Sequence, residues 1–254
     1  MTESNEYIYG RNSVKSAVKS GAQIDRIYVA EDITDGSIKE IIRLAKSVGI
    51  QVKGVSKQRL NQMCEGLGYE GKPVNHQGIV AQIPAFNYSD LDDIFKLADE
   101  KGEPPFIIIL DGIQDPHNLG AIIRSAECFG AQGVIIGKNR SASLTGAAFK
   151  ASSGAAAYIP VVKVTNINRT IEELKDKNVW IVAADMDGEE AFNANLKGAL
   201  ALIIGAEGKG VSRLTKESAD IVVKIPINGK TQSLNASCAA AVLMYEKTRQ
   251  DLCK

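Results

Sequence analysis

The sequence predicts an α/β protein with a largely parallel sheet in its carboxy-terminal part and a smaller α/β domain before it. Three observations support this fold class. Short apolar runs such as FIIIL at 106–110 and LALIIG at 200–205 are typical of parallel strands that are buried on both faces. Stretches with helical spacing of apolar residues separate these runs, which indicates crossover helices. A chain of 254 residues is also long enough for two domains.

The first 78 residues alternate helical and strand patterns. Apolar residues recur at helical spacing in SVKSAVKSG and KEIIRLAKSVG, and β-rich runs occur in DRIYVA, IQVKGV and HQGIVAQI. We therefore predict a small α/β domain over residues 1–78. Residues 79–105 hold an acidic cluster and a Gly-Glu-Pro-Pro break, and we predict a linker there that carries one short helix. The second domain is predicted over residues 106–254.

Composition limits the class of protein. Hydrophobic residues make up 44% and charged residues 24% of the chain, and no apolar run approaches the roughly 18 residues of a membrane-spanning helix. The start, MTESNEYIYG, lacks the pattern of a secretory signal, so we expect a cytoplasmic protein without membrane contact. The formal net charge is +0, and it does not by itself point to a nucleic-acid partner.

The four cysteines indicate neither a metal centre nor a disulfide framework. They are widely spaced and form no CxxC pair, so reduced and buried thiols are expected. They are Cys64, Cys128, Cys238 and Cys253.

Chemistry in open parallel sheets gathers where strands end, and three strand-to-loop junctions stand out in the second domain. In the first, LDGIQDPHNLGAIIRSAECFG, a strand ends at Asp111 and a helix follows the turn. Ile122, Ala126 and Phe129 share one apolar stripe of that helix. Arg124 lies about 200° around the helix from Ile122, so it is predicted to face away from the stripe. Judged by residue type alone, a surface ion pair is its commoner role.

The second junction, LALIIGAEGKGVS, runs from a strand into three glycines. Gly205, Gly208 and Gly210 surround Glu207, and their spacing differs from the GxGxxG of dinucleotide-binding folds. Glycines after a strand let a backbone approach a ligand closely, and a plain loop explains them equally well.

The third junction is IVVKIPINGKTQSLNASCAAAVLMYEKTR. It contains Gly-Lys-Thr between a strand and a helix, but the position where a phosphate loop needs its first glycine is Lys224. The spacing therefore rejects a phosphate loop. The remaining polar loop leads through Ser233 and Asn235 to an alanine-rich helix, and either residue would suit a helix cap.

Together the three junctions resemble, in order, the three motifs of the SpoU (TrmH) family of RNA ribose 2′-O-methyltransferases. DPHNLGAIIRSA is similar to the first motif, LIIGAEGKGVS to the second, and IPINGKTQSLNASCAAAVLMYE to the third. The segment from YIYGRNSV to NHQGIVAQI is similar to the ribosomal-protein-like, RNA-binding domain of the branch that methylates a guanosine of 23S ribosomal RNA. The resemblance covers the full length of the chain.

This resemblance implies a SPOUT-type catalytic domain with a trefoil knot, a homodimer whose site is completed across the interface, and ribosomal RNA as substrate. It also implies that S-adenosylmethionine is the methyl donor. The backbone around Gly205, Ile225 and Leu234 would bind this cofactor, since loop amides and carbonyls can read an adenine edge. No metal is implied.

The resemblance also assigns catalytic roles. Asn118, Glu207, Ser233 and Asn235 would shape the pocket and order the reacting groups, and Arg124 would activate the 2′-hydroxyl. A guanidinium is effectively never deprotonated, so it is a poor general base in isolation. Either an RNA phosphate poises Arg124 for proton transfer, or it stays cationic and stabilises the developing alkoxide.

The small domain is the expected RNA reader, since RNA recognition favours exposed loops and shaped surfaces. Both histidines, His76 and His117, are expected to be structural rather than catalytic. The candidate RNA contacts are Arg11, Lys15, Lys19, His76 and Gln77.

Three alternatives remain at this point. The same methylation could act on transfer RNA or on another ribosomal nucleotide. The chain could also be a non-catalytic RNA-binding assembly factor, which the presence of all five proposed catalytic residues disfavours. A nicotinamide-dependent dehydrogenase is disfavoured by the glycine spacing.

Overall fold

A computed structural model describes residues 6–22, 24–32, 35–65, 74–83 and 86–253. The chain divides into two compact units, which are described separately. The amino-terminal unit comprises Met1–Asn87 and Ser143–Tyr158, and the carboxy-terminal unit comprises Tyr88–Ala142 and Ile159–Lys254.

The strands within the described residues are β1 (Glu6–Tyr9), β2 (Arg26–Ala30), β3 (Val52–Val55), β4 (Ile79–Ile83), β5 (Phe106–Asp111), β6 (Gly133–Gly137), β7 (Val161–Val164), β8 (Trp180–Glu190), β9 (Leu200–Gly205) and β10 (Ile221–Lys224). The helices are α1 (Arg11–Lys19), α2 (Gly36–Ser47), α3 (Lys57–Met63), α4 (Leu91–Lys101), α5 (Pro116–Cys128), α6 (Gly146–Ala151), α7 (Ile167–Asp176), α8 (Arg213–Glu217) and α9 (Ala236–Leu252).

The amino-terminal unit is built on a four-stranded sheet with the order β1-β4-β2-β3. β4 pairs antiparallel with both β1 and β2, and β2 pairs parallel with β3. Side chains cap three of its helices: Asp35 accepts from the backbone N–H of Ser37, Ser56 from that of Arg59, and Thr145 from that of Ala148. The small α/β domain predicted from the sequence therefore forms.

The boundaries of the units differ from the predicted ones in two places. β4 belongs to the first sheet, although residues 79–105 were expected to be a linker. The expected short helix is α4, and its Ile94 lies in the core of the carboxy-terminal unit. β4 and α4 therefore occupy much of the predicted linker, because each of them buries apolar side chains in one of the two units.

The segment Ser143–Tyr158 is the second difference. It lies between β6 and β7 in the chain, yet it belongs to the amino-terminal unit. Gly146, the first residue of α6, lies against β1 so closely that a Cβ there would be 1.8 Å from the carbonyl oxygen of Tyr7. Lys150 of the same helix places its ammonium 4.3 Å from the centre of the Tyr9 ring. The close approach requires glycine and fixes this segment on the first sheet.

The carboxy-terminal unit contains a six-stranded sheet with the order β10-β8-β9-β5-β6-β7. All neighbouring strands pair parallel, as the continuous apolar runs predict. The chain runs from β5 outward to β7 and later returns to place β9 beside β5. The strand order reverses between these two strands, and the crevice at their carboxyl ends is where ligands bind in sheets of this kind.

The cysteines are free, and their placement corrects one expectation. Cys64 is buried as expected, and burial raises the pKa of its thiol to about 11. Cys128, Cys238 and Cys253 are exposed. They lie on or just after α5 and α9, at positions where these helices do not face the core.

Within the described ranges, no helix is both long enough and apolar enough to cross a membrane.

Candidate active site

The first two junctions lie side by side. β5 ends at Asp111 and β9 ends at Gly205, and these two residues face each other in the parallel register. The third junction, residues 225–235, connects β10 to α9. The loops that follow β5 and β9 therefore emerge at the same edge of the sheet, at the point where the strand order reverses.

Three polar side chains, one from each junction, form a hydrogen-bonded cluster there. The amide of Asn118 donates to Oε1 of Glu207 at 2.8 Å. The amide of Asn235 donates to the same oxygen at 2.5 Å and to Oδ1 of Asn118 at 3.1 Å. These residues are separated by 28 to 117 positions in the chain, so the fold alone brings them together. We call Asn118, Glu207 and Asn235 the amide–carboxylate cluster.

Asn118 is held by the start of α5. Asp115 caps the helix by accepting from the backbone N–H of His117 at 3.0 Å, and Pro116 occupies the first turn, where its missing N–H is not needed. Asn118 is 8% exposed. A buried amide must have partners, and the cluster supplies them.

Glu207 is held by a tight loop after β9. Ala206 and Gly210 exchange two backbone hydrogen bonds of 3.1 and 2.8 Å, which close the loop on itself. Gly208 and Gly210 adopt positive φ angles of 73° and 66°. A Cβ on Gly205 would lie 2.0 Å from the carbonyl carbon of Gly210. The glycines of this motif therefore shape the turn that presents Glu207 at its exposed tip.

Asn235 has two roles. It is the N-cap of α9, where its Oδ1 accepts from the backbone N–H groups of Ser237 at 2.9 Å and Cys238 at 3.4 Å. Its amide nitrogen serves the amide–carboxylate cluster at the same time. The helix cap predicted from the sequence and the proposed site role thus belong to one side chain, because an asparagine carries both an acceptor and a donor.

Three other residues named for this site lie in the third junction. Ser233 and Leu234 are exposed in the loop before α9, and Ile225 is half-buried at its beginning. No hydrogen bond among those of the described residues joins Ser233 to the cluster. Its role, like the cofactor roles of Ile225 and Leu234, stays a prediction.

Arg124 lies on α5, six residues after Asn118, which corresponds to about 9 Å along the helix axis. Its side chain is exposed, whereas Ile122 and Ala126 are buried. The structure thus confirms the orientation that the helical spacing predicted. Across the residues that the structure describes, no group of three metal-ligating side chains occurs at this site or elsewhere.

The proposed RNA contacts of the amino-terminal unit are partly engaged within it. Arg11 pairs with Asp35 at 2.8 Å, and Lys15 pairs with Glu40 at 2.7 Å. The backbone N–H of Arg11 donates to Oε1 of Gln77 at 3.0 Å. Lys19 is exposed.

His76 is buried, as expected for a structural histidine. Its Nδ1 accepts from the backbone N–H of Gly78 at 3.0 Å, and its Nε2 lies 3.0 Å from Oδ1 of Asn61. Burial lowers the pKa of its imidazole, and the charges of nearby lysines act in the same direction. A neutral ring suits these contacts, so His76 holds the turn before β4.

Comparison with known proteins connects both units to one family. The sequence profile of the SpoU rRNA methylase family matches residues 105–245, and that of the RNA 2′-O ribose methyltransferase substrate-binding domain matches residues 7–89. The Bacillus subtilis protein YacO, assigned to the TrmH family of tRNA/rRNA methyltransferases, is 44% identical over 252 residues, which cover 98% of each chain.

A second relative agrees with this, and a solved structure shares the fold. A TrmH family tRNA/rRNA methyltransferase of Staphylococcus saprophyticus is 42% identical over 244 residues, covering 96% of this chain and 95% of the relative. The SpoU methyltransferase AviRb from Streptomyces viridochromogenes, solved with AdoMet, is similar in fold, with a TM-score of 0.79. That match covers 97% of this chain and 90% of AviRb at 23% identity. The chain belongs to the SpoU (TrmH) family of RNA methyltransferases.

Proposed function

We propose that this protein uses S-adenosylmethionine to methylate a ribose 2′-hydroxyl of RNA. The observation that carries the proposal is the amide–carboxylate cluster, which joins all three motif loops at the carboxyl ends of β5 and β9. Three loops that are held together at this crevice can enclose a ligand that none of them could bind alone.

The residues of the third junction fit this cofactor. The hydrogen bonds of the described residues give the backbone of residues 225–234 no partner, so its N–H and C=O groups are available to a nucleoside base. Ile225 and Leu234 add apolar surface at the two ends of this stretch, and Leu234 is 44% exposed. The AviRb structure contains AdoMet, which supports the same cofactor here. When bound, S-adenosylmethionine supplies a methyl group activated by a sulfonium.

The side chains of the chain contribute orientation and charge. The two asparagine amides fix the Glu207 carboxylate by donating to one of its oxygens, which leaves the second oxygen for other partners. Arg124 carries a permanent positive charge on an exposed face of α5. In that state it would stabilise the alkoxide that develops as the 2′-hydroxyl loses its proton to solvent water, and S-adenosylhomocysteine would leave as the methyl–sulfur bond breaks. Positioning of the two reactants supplies much of the acceleration.

We assign RNA recognition to the amino-terminal unit and, as the specific substrate, a guanosine of 23S ribosomal RNA. The substrate-binding match over residues 7–89 supports the first assignment. The similarity of its sequence to the guanosine-modifying branch supports the second. The relatives are described as tRNA/rRNA methyltransferases, so transfer RNA is the competing substrate.

The test is to incubate the purified protein with labelled S-adenosylmethionine and, separately, unmodified 23S ribosomal RNA, 16S ribosomal RNA and transfer RNA. We expect label in 23S RNA at one guanosine. Label in transfer RNA alone would overturn the substrate assignment and keep the chemistry. If calorimetry detects no donor binding and no RNA is labelled, the methyltransferase proposal is wrong.

We also propose that the protein is a homodimer with a knotted catalytic domain, as in the family it belongs to. α9 exposes Val242, Tyr245 and Leu252 at 44%, 56% and 78%. The ring of Tyr245 contacts Phe129 of α5 edge-on at 6.3 Å. Apolar side chains gathered on adjacent helices suit a protein interface. Sedimentation analysis should give twice the chain mass of 27.2 kDa, and a stable monomer would contradict the dimer.

A further inference from the structure

Asp111, the last residue of β5, makes a hydrogen bond that the motif assignments do not use. Its Oδ2 accepts from the backbone N–H of Ser212 at 2.8 Å, across 101 positions of the chain. A carboxylate that accepts from a backbone N–H forms one of the stronger hydrogen bonds in proteins. The bond joins the carboxyl end of β5 to the segment that follows the Glu207 loop.

Ser212 directly follows the loop that carries Glu207, so its bond to Asp111 helps to fix the position of that loop. The Glu207 loop starts at Gly205, whose position is fixed by its pairing in the sheet opposite Asp111. The loop ends at Val211, and Ser212 then occupies the N-cap position of α8 without a side-chain cap bond. Asp111 therefore lies beside the first residue of the loop, and its side chain binds the residue that follows the loop. The two backbone hydrogen bonds between Ala206 and Gly210 close the loop, so Glu207 between them is held in place as well.

A chain of hydroxyl and amide contacts continues from Ser212 into the core. Oγ of Ser212 lies 2.8 Å from Oγ1 of Thr215, and that hydroxyl lies 3.0 Å from Oδ1 of Asn168 in α7. Thr215 is 2% exposed. A buried hydroxyl with satisfied partners resists displacement, because moving it would leave polar groups unpaired. α8 is thus fixed to the rest of the carboxy-terminal unit.

The opposite side of the loop is also held. Lys216 of α8 places its ammonium 2.9 Å from Oδ1 of Asp185 and 3.0 Å from Oδ2 of Asp187, both in β8. A Cβ on Gly210 would lie 3.4 Å from Oδ2 of Asp185. Carboxylates on both strands that flank β9 therefore hold the residues directly after the loop, Ser212 and Lys216.

We propose that Asp111 is a positioning residue for methyl transfer, which acts through Ser212 to fix Glu207 against Asn118 and Asn235. This inference rests on the proposed function for its kinetic consequence. Its structural part, the ordering of the loop, is independent of the reaction catalysed.

Two pairs of variants test this bond: one pair changes the acceptor, Asp111, and the other changes the donor, Ser212. Asp111→Ala removes the acceptor, whereas Asp111→Asn keeps an oxygen that can accept. Ser212→Pro removes the donor N–H at a residue whose φ of −62° already suits proline, whereas Ser212→Ala keeps that N–H. If Asp111→Ala does not fold, the Ser212 pair still answers the question.

Asp220→Ala is the matched control. Oδ2 of Asp220 accepts from the backbone N–H of Ile181 at 2.8 Å, the same kind of bond near the other end of the sheet. We expect this variant to lose stability and keep its kcat. Asp111→Ala and Ser212→Pro should lower kcat about ten- to hundredfold with KM for RNA and donor affinity nearly unchanged, because a displacement of about 1 Å costs that much. Asp111→Asn and Ser212→Ala should stay within about threefold of wild type, since both keep the bond.

Hydrogen exchange at the amides of Ala206 and Gly210 provides a readout without catalysis. Exchange should be faster in Asp111→Ala and Ser212→Pro than in wild type or Ser212→Ala. Unchanged exchange, or wild-type kcat in these two variants, would overturn the inference. An equal loss of kcat in Asp220→Ala would also overturn it. If wild type transfers no methyl group while exchange responds as expected, the proposed function fails and the loop assignment stands.

Discussion

At the scale of single residues, the amide–carboxylate cluster explains why an asparagine occupies the N-cap of α9. A serine would serve as a cap equally well, but it has no amide to donate to Glu207. The sequence could predict that the three motif loops meet, because carboxyl ends of parallel strands share one edge. It could not predict which side chains bond, since Ser233 and Asn235 are equally plausible from the sequence and only Asn235 joins the cluster.

Replacing Asn235 by aspartate separates the two roles. Asn235→Asp keeps an oxygen for the N–H groups of Ser237 and Cys238 but replaces the donor to Glu207 with a negative charge. We expect the new carboxylate to repel Glu207 and lower the free energy of unfolding, and methyl transfer to fall at least about hundredfold, since misplaced catalytic groups cost that much. Asn235→Ala avoids that repulsion but loses the cap, which should cost about 1 kcal/mol of unfolding free energy. Denaturant unfolding and single-turnover assays measure both quantities.

Arg124 is predicted to contribute to the chemical step rather than to folding. Its exposed position on α5 means that Arg124→Ala should leave the melting temperature nearly unchanged. The rate of methyl transfer should fall by at least about hundredfold, the scale of loss when one charge-stabilising group is removed. Glu127→Ala on the same helix, also exposed, is the control. A wild-type single-turnover rate in Arg124→Ala would show that another group stabilises the alkoxide.

At the scale of elements, the loops depend on close backbone approaches that sequence patterns do not reveal. The glycines of LIIGAEGKGVS are equally typical of a ligand loop and of a plain turn, and the structure shows that Gly205 is required by the turn itself. The docking of α6 on β1 could not be predicted either. It depends on Gly146 meeting a strand that lies more than a hundred positions earlier in the chain.

Gly205→Ala should therefore displace the Glu207 loop. Its Cβ would overlap the backbone of Gly210, and overpacking of this kind costs about 1–3 kcal/mol or more. We expect weaker binding of S-adenosylmethionine and a lower melting temperature. Gly208→Ala is the matched control, because no atom lies within 4 Å of its added Cβ and only its positive φ opposes the change. Equal donor affinity in both variants, measured by calorimetry, would mean that the loop does not contribute to the pocket.

At the scale of the whole molecule, the period and length of the apolar runs predict the fold class, but they do not predict the order of the strands in the sheet. Local patterns such as FIIIL identify strands, but the insertion of β9 between β8 and β5 depends on pairing between distant segments. The same reason explains β4. Its short run IVAQI is readable as a strand, while its position between β1 and β2 is set by partners elsewhere in the chain.

The stability of the amino-terminal unit should depend on pH through His76. Burial holds the pKa of its imidazole below the ordinary value of 6.5, so the unfolded chain binds a proton at higher pH than the folded one does. This contribution is complete above about pH 6.5 and is lost as the pH falls toward the folded pKa. Titration of the His76 ring protons by NMR should give a midpoint below 6.5. A midpoint above it would contradict the assigned contacts with Gly78 and Asn61.

The proposed methyl-donor site is formed by three loops at the carboxyl ends of the large sheet and faces a ribose. The most direct test is mass spectrometry of nucleosides from RNA incubated with the protein and S-adenosylmethionine carrying a deuterated methyl group. We predict a deuterated 2′-O-methyl nucleoside with wild type and none above background with Arg124→Ala. A deuterated methyl group on a base, or none on any nucleoside while the donor binds, would contradict the claim.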